Sequence, residues 1–453
     1  MMLQSVTHNY LTEFDDRFAE EIMSLGLRDC DSFVTGLSGG ADSTALALLT
    51  QRYADMHSKC HLAVIVDHGL RVNSKSEALR VQSRLFGMGV SSEIISLPAS
   101  QPSSAVQEWA RFKRYDVLLA AARKRKAVLL TAHHADDQAE TVVMRLLRGS
   151  GLVGLTGIPM RRSQHGVTIA RPVIGWSPDQ LISICNLLKC SFESDPSNKD
   201  TKYERVRARE LLAMLDQQAD GPTSAHIHRL SQLATTIVSA SYRANSTNIS
   251  EAVQIYQTGY AKVKMANLSS LPGLRWRLAI RSLVSAVAGG AYSPSKAALD
   301  MVRNRVNAGL SATIGGCHFS PKRSGPDVTS SGRKKNIVYY LFREIGRQRK
   351  VQKIGSGEEA VFAGCWLVTS QKAGFLHAFG DINRPVKGNC GNISIDEVPQ
   401  SWREIPHRAR QAIPILITLE GKLIYPQIEG VEILGRAVPF VVRFLGTVQH
   451  PAF

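Results

Sequence analysis

At 453 residues, 44% of them apolar, the chain can form about two or three domains with buried cores. Its formal charge of +17 is more than solubility requires and points to a polyanionic partner, most often nucleic acid. No apolar run nears the roughly 18 residues of a membrane span, Met1–His8 lacks the features of a signal peptide, and seven scattered cysteines with no C-x-x-C pair fit a reducing cytoplasm and argue against a zinc knuckle or an Fe–S cluster.

Phe33-Val34-Thr35-Gly36-Leu37 reads as a buried strand, and Thr44-Ala45-Leu46-Ala47-Leu48-Leu49 as the first turns of a helix. Between them stands Ser38-Gly39-Gly40-Ala41-Asp42-Ser43. Strand, glycine turn and helix is a layout that binds phosphate: glycines let backbone N–H groups approach an anion, and the helix start adds unpaired donors and a positive dipole end. Asp42 repels phosphate by itself and makes sense as a Mg²⁺ ligand; the plain alternative is a serine- and glycine-rich turn in which Asp42 only caps the helix. No lysine follows, so this is not a Walker A loop, and the dinucleotide G-x-G-x-x-G is absent too. The string S-G-G-x-D-S resembles the signature of the PP-loop ATP pyrophosphatases, which split ATP between its α- and β-phosphates.

Leu62-Ala63-Val64-Ile65-Val66 is a second strand, ending in the polar cluster Asp67-His68-Gly69-Leu70-Arg71. A helix over 77–87, a strand over 92–97, a long helix from 102–104 to about 126 and a strand over 127–131 follow. This alternation predicts an α/β fold with a doubly wound parallel sheet. The last strand runs into His133-His134-Ala135-Asp136-Asp137-Gln138-Ala139-Glu140-Thr141. Its acids crowd a helix N-terminus, which tolerates negative charge, and Asp137 and Glu140, three apart, share a helix face. A metal site and a capped helix with solvated acids are both compatible with that cluster. Cys185 and Cys190 read as small core residues on neighbouring helix turns.

SGGADS, Asp67 to Arg71, the string ARFKRY over Ala110 to Tyr115, HHADDQAET and the later RGSG stand in the order found in the bacterial tRNA(Ile)-lysidine synthetases. Arg171-Pro172-Val173, Asp195-Pro196-Ser197-Asn198, Tyr203 and Arg205 extend the likeness, which covers about residues 28–212. The resemblance implies an N-terminal PP-loop catalytic domain over 1–215, of the adenine-nucleotide α-hydrolase type. It implies a ligase that uses ATP and Mg²⁺ to adenylate the wobble cytidine of tRNA(Ile) with a CAU anticodon, then joins free L-lysine to C2 and releases AMP. On the same basis Ser38, Gly39, Gly40, Ala41, Asp42 and Ser43 hold ATP, with Asp42 on the metal. Asp137 and Glu140 align lysine, Arg114 meets the phosphates or the cytosine carbonyl, His133 lies near the activated centre, and Arg205 contacts tRNA or the developing charge. The family often has Arg-Asn where this chain has Arg205-Val206, so whatever that asparagine does is done otherwise here.

Residues 196–209 are polar, end in Arg205, Arg207 and Arg209, and read as a loop feeding a helix that contacts RNA. A helical domain is expected over 216–320, with Leu230, Leu233 and Ile237 as a core stripe. Between Arg303 and Lys353 twelve Lys or Arg face only Asp327 and Glu344. A basic linker over 321–335 is expected there, with Arg333, Lys334 and Lys335 gripping tRNA phosphates unless the run is merely solvated. The pattern from Ile337 onward predicts strands and a small α+β tRNA-binding domain over 336–453. A cytoplasmic enzyme with no membrane contact results, and a homodimer is left open. Two rivals remain: a PP-loop enzyme that thiolates a tRNA base, and a catalytically silent RNA-binding protein.

Overall fold

The computed structural model describes residues 2–67, 69, 74–97, 106–164, 166–193, 204–218, 221–289, 294–322, 337–344, 351–381, 402, 404–428 and 440–445. The chain divides into one compact unit ending at Ser239 and a second running from Ala240 to His450. Among the described residues no helix is long and apolar enough to cross a membrane.

The first unit holds strands β1 (Ser32–Leu37), β2 (Cys60–Asp67), β3 (Ser92–Ser96), β4 (Val128–Leu130), β5 (Arg161–Gln164) and β6 (Val167–Ala170). They form one sheet in the order β3-β2-β1-β4-β6-β5, parallel except for the edge strand β5. Its helices are α1 (Met2–Ser24), α2 (Ala41–Met56), α3 (Ser74–Phe86), α4 (Val106–Lys124), α5 (Ala135–Leu147), α6 (Leu152–Leu155), α7 (Pro178–Leu187), α8 (Glu204–Asp216) and α9 (Thr223–Arg243).

Consecutive strand residues point to opposite faces, so a strand buried on both faces reads as an unbroken apolar run. In β1, Phe33 packs among side chains of α1, α2 and α7, whereas Val34 packs on Leu118 and Leu119 of α4. Gly36 lets α4 come close: a Cβ there would meet Leu118 Cδ1 at 2.9 Å. The parallel, doubly wound sheet is therefore as expected. Helix α1 and the β5–β6 hairpin were not foreseen.

The second unit has α10 (Ser246–Ala252), β7 (Val253–Tyr256), β8 (Tyr260–Lys264), α11 (Met265–Ser269), α12 (Gly273–Ala288), α13 (Lys296–Asn307), β9 (Ala312–Ile314), β10 (Cys317–Lys322) and β11 (Val338–Arg343). The five strands make an antiparallel sheet, β7-β8-β11-β10-β9, packed on α12 and α13. β12 (Gln352–Ile354), β13 (Glu358–Phe362), β14 (Trp366–Ser370), β15 (Gly374–Ala378), α14 (His407–Arg410), β16 (Pro414–Thr418), β17 (Leu423–Ile424), β18 (Gln427–Ile428) and β19 (Phe440–Phe444) follow. They form two four-stranded sheets, β12-β15-β16-β17 and β13-β14-β19-β18, around Trp366, Trp402 and Phe440.

Four expectations change here. The middle region is not purely helical, because β7 to β11 interrupt it. No sheet begins afresh at 336: β11 is the central strand of the middle sheet, paired with β8 and β10. The expected linker over 321–335 overlaps the end of β10, and Arg333, Lys334 and Lys335 lie outside the described residues. The leucine stripe is exposed, Leu230 at 46%, Leu233 at 64% and Ile237 at 51%. The buried stripe of α9 is Ser231, Ala234, Val238 and Tyr242, one residue further on. The helical period was legible, but the buried face is turned one residue from the leucines, with Ser231 bonded to Gln138 and Thr156.

His61 on β2 is held between Thr35 Oγ1 on Nε2 (2.9 Å) and Gln51 Oε1 on Nδ1 (3.0 Å). Gln51 Oε1 only accepts, so the ring is neutral with its proton on Nδ1. Burial pushes its pKa from 6.5 down to about 3. The unfolded chain therefore takes up about one proton that the native state refuses as pH falls through 6.5. Stability is expected to be complete above that pH and to decline between 6.5 and 3. Urea denaturation over that range checks this, and His61→Gln should flatten the decline.

Candidate active site

Strand order reverses between β1 and β4, which pair directly through Phe33↔Val128, Val34↔Leu129 and Thr35↔Leu130. Parallel α/β sheets bind ligands at the carboxyl ends of strands at such a point. Two loops leave there: Ser38–Gly40 into α2, and Thr131–His134 into α5.

The first loop is a tied turn. Ser43 Oγ accepts a hydrogen bond from the Ser38 N–H (3.1 Å), lies 3.0 Å from Ser38 Oγ and donates to the Gly40 carbonyl (3.1 Å). Gly39 has φ +86, a conformation that L side chains rarely adopt, and a Cβ there would lie 2.9 Å from Val81 Cγ2. Gly40 starts α2 with no side-chain cap, so the first N–H groups of the helix face outward as an anion seat. Cys185 Sγ donates to the Ala41 carbonyl at 3.5 Å, and the Glu193 N–H donates to the Gly39 carbonyl at 2.9 Å. Arg84 holds the Glu193 carboxylate from α3.

Asp42 stands in the first turn of α2, its side chain 38% exposed. Burial raises its pKa above the ordinary aspartate value; His134 opposes this, and Asp137 and Asp136 reinforce it. A half-buried carboxylate with Asp136 and Asp137 nearby suits a bound cation. Among the described residues no three His, Cys, Asp or Glu side chains converge on one metal position. A cation at Asp42 would take phosphate oxygens and water among its ligands.

In the second loop His133 Nδ1 lies 3.1 Å from Thr131 Oγ1 and accepts a hydrogen bond from Arg171 Nε at 3.3 Å. A guanidinium only donates, so the His133 proton sits on Nε2. Arg171 is buried and also donates to the Pro159 carbonyl. His134 Nε2 joins the two loops, 3.8 Å from Asp42 Oδ2 and 3.6 Å from Asp137 Oδ2. Asp137 Oδ2 caps α5 by accepting from the His134 N–H at 3.3 Å.

Asp137 and Glu140 share the face of α5 that meets α8, and each carries an arginine. Arg205 Nη2 donates to Asp137 Oδ1 (3.3 Å), while Arg209 donates to Glu140 Oε1 through Nε (2.9 Å) and Nη2 (2.7 Å). Arg207, on the same helix, is exposed, Val206 is half-buried, and Arg114 sits half-buried on α4. Asp67 Oδ1 accepts from the Gly69 N–H. His68, Leu70, Arg71, residues 195–198 and Tyr203 lie outside the described residues.

The structure therefore gathers Ser38 to Ser43, Asp42, Asp137, Glu140 and Arg205, and ties His133 to Thr131 and Arg171. His134 and Glu193 were given no role from the sequence, Arg171 entered only as part of the family resemblance, and Arg209 only as a contact to RNA. Arg209 had a signal, because Arg205 and Arg209 at i and i+4 match the face of two acids at i and i+3. Glu193 had none, and the bond from Arg171 to His133 had none either, because distant segments bring these residues in.

The family model ATP_bind_3, a PP-loop domain, matches residues 10–215. A tRNA(Ile)-lysidine synthase of Ruegeria pomeroyi is 32% identical over 349 residues, covering 76% of this chain and 78% of the relative. One of Novosphingobium aromaticivorans is 42% identical over 181 residues, covering 39% of this chain and 54% of the relative. Among solved structures, the U34-tRNA thiolase NcsA of Methanococcus maripaludis aligns with TM-score 0.42 and 18% identity, covering 51% of this chain and 80% of that one.

Gly39→Ala is expected to destabilise the chain by about 1–2 kcal/mol through its left-handed backbone and to weaken nucleotide binding. Chemical denaturation and titration with a fluorescent ATP analogue check both.

Proposed function

Because the chain belongs to the tRNA(Ile)-lysidine synthase family, we propose that it acts in the cytoplasm to join free L-lysine to C2 of the wobble cytidine of tRNA(Ile) bearing a CAU anticodon. ATP is split to AMP and pyrophosphate in the process. The observation that carries this reading is the meeting of two loops across β1 and β4, where His134 stands between the PP-loop acid Asp42 and Asp137.

The N–H groups of the Ser38–Ser43 turn and of the α2 start cradle the ATP phosphates. Asp42 holds Mg²⁺, which when bound neutralises charge on the phosphate oxygens. Arg114 meets the phosphates or the cytosine carbonyl. The cytidine C2 oxygen bonds to the α-phosphorus and pyrophosphate leaves. His133, kept with its proton on Nε2 by Arg171, offers that proton as a hydrogen-bond donor near the activated base. Lysine must then attack as a neutral amine, yet with a pKa of ~10.4 only about one molecule in a few thousand is neutral near pH 7. Asp137 and Glu140 orient the ammonium and help take its proton. The C–N bond forms as AMP departs.

Sulfur transfer is the weaker reading. The cysteine beside the PP-loop, Cys185, is buried, and desolvation with Cys190 and Asp42 pushes its thiol up to about 12, away from a reactive thiolate. A tRNA partner suits the second unit: the five strands of its middle sheet contain no Asp or Glu, and Lys262, Lys264 and Lys322 share one sheet face with Tyr340. Lys322 Nζ lies 5.6 Å from the Tyr340 ring centre.

Incubation with ATP, labelled lysine and tRNA, followed by mass analysis of the nucleosides, tests the proposal. Lysidine and tRNA-dependent pyrophosphate release are expected; a thiolated base, or no ATP turnover, would refute it. Asp42→Asn should lower turnover by about 10²–10³-fold while tRNA affinity in a gel shift stays nearly constant. Replacing Arg333, Lys334 and Lys335 with alanine should weaken tRNA binding and flatten its log–log salt dependence by about 0.7 per lost phosphate contact; an unchanged slope would leave that cluster facing solvent.

A further inference from the structure

The two oxygens of Glu140 are held unequally. The residue is 2% exposed. Oε1 receives two good hydrogen bonds from Arg209. Oε2 is buried and accepts no hydrogen bond. Its ion-pair neighbour is Arg205 Nε at 3.4 Å. The same guanidinium reaches Asp137 Oδ1 at 3.3 Å. Arg205 thus spans the gap between two carboxylates through long contacts, whereas Arg209 grips one carboxylate through short ones. A buried carboxylate oxygen lacking a hydrogen bond is costly, and a small cation seated between Oε2 and Oδ1 would satisfy it.

The charges make this an exchange. Asp137 and Glu140 carry two negative charges, and Arg205 and Arg209 two positive ones. A further ammonium cannot share that seat with Arg205, whose guanidinium already lies 3.3 Å from Asp137 Oδ1 and 3.4 Å from Glu140 Oε2, because two cations would be pressed together there. One guanidinium must leave as the ammonium arrives. Arg205, with the long contacts, is the one placed to go.

Resting on the proposed lysine ligation, we propose that Arg205 occupies, in the amino-acid-free enzyme, the seat of an ammonium group of the substrate. Lysine binds by displacing it from Asp137 Oδ1 and Glu140 Oε2. Arg209 is the positioning residue that stays behind and keeps Oε2 directed at the seat. The expelled guanidinium then needs an anion, and its planar fork suits phosphate. Bound nucleotide and tRNA both carry phosphate, so lysine affinity rises when they are present. Two sites linked in this way must strengthen each other equally.

Calorimetric titration of L-lysine into the full chain, alone and with tRNA plus a non-hydrolysable ATP analogue, tests the exchange. The native chain should bind lysine about tenfold more tightly with tRNA and the analogue. Arg205→Gln should bind lysine more tightly than the native chain when alone and lose most of that enhancement. Arg209→Gln should bind more weakly in both conditions. Arg209→Lys, which retains charge but not the fork, should also bind weakly, and the thermal midpoints of all variants show that they fold. If Arg205→Gln weakens lysine binding to the free enzyme as the Arg209 variants do, Arg205 is part of the seat and the exchange is overturned, even while the native chain makes lysidine. A native chain that makes no lysidine overturns the ligase reading and the exchange together.

Discussion

The site depends on the pairing of β1 with β4. Their connections run to opposite ends of the sheet, so the backbone diverges past Leu37 and Leu130 and leaves a crevice. One wall is built from backbone donors and carries the single carboxylate of Asp42. The other carries imidazoles and carboxylates. Because both walls rise from adjacent strands of one buried sheet, their separation is set by strand spacing rather than by loop flexibility. Burial on both faces makes the sheet rigid: Phe33 and Val34 are each fully enclosed, on opposite sides. The contacts that Cys185 and Glu193 make to Ala41 and Gly39 add a brace from behind the turn.

Charge is the second constraint. Asp42, Asp136, Asp137 and Glu140 lie within one small region, and a nucleotide would add several negative charges more. The protein answers with partners of graded strength. Arg209 is bonded firmly to a buried acid, Arg205 bridges loosely, and His134 stands between Asp42 and Asp137. Arg171, itself buried, sets the tautomer of His133 and so decides which ring nitrogen can donate. Burial, opposed by His134 and reinforced by Asp137 and Asp136, raises the pKa of Asp42.

The second unit is built on a different principle. Its strands pair antiparallel except β18 with β19, and its middle sheet is completed by a strand far along the chain, β11, inserted between β8 and β10. Aromatic rings line one face of that sheet: Tyr256 stacks on Tyr260 with ring centres 4.4 Å apart, and Tyr340 stacks on Phe342. Part of that face is enclosed by the core of Trp366 and Phe444, while Lys262, Lys264 and Lys322 lie along its other rows.

Local chemistry alone determined the parallel sheet, the phosphate turn and the acidic helix start, because each is written in consecutive residues: an unbroken apolar run, two glycines before a helix, and acids three apart. Those signals come from backbone geometry and helical period, which act over a few residues. Tertiary structure decided what no short window contains. It moved the buried stripe of α9 by one residue, to Ser231, Ala234, Val238 and Tyr242, since which side of a helix is covered depends on what packs against it. It placed Val338–Arg343 in the middle sheet, since the strands it joins lie far apart in sequence. It set Arg205 and Arg209 against Asp137 and Glu140 and brought Arg171 to His133, since an ion pair or hydrogen bond depends on distance in space, and only the folded chain defines that distance.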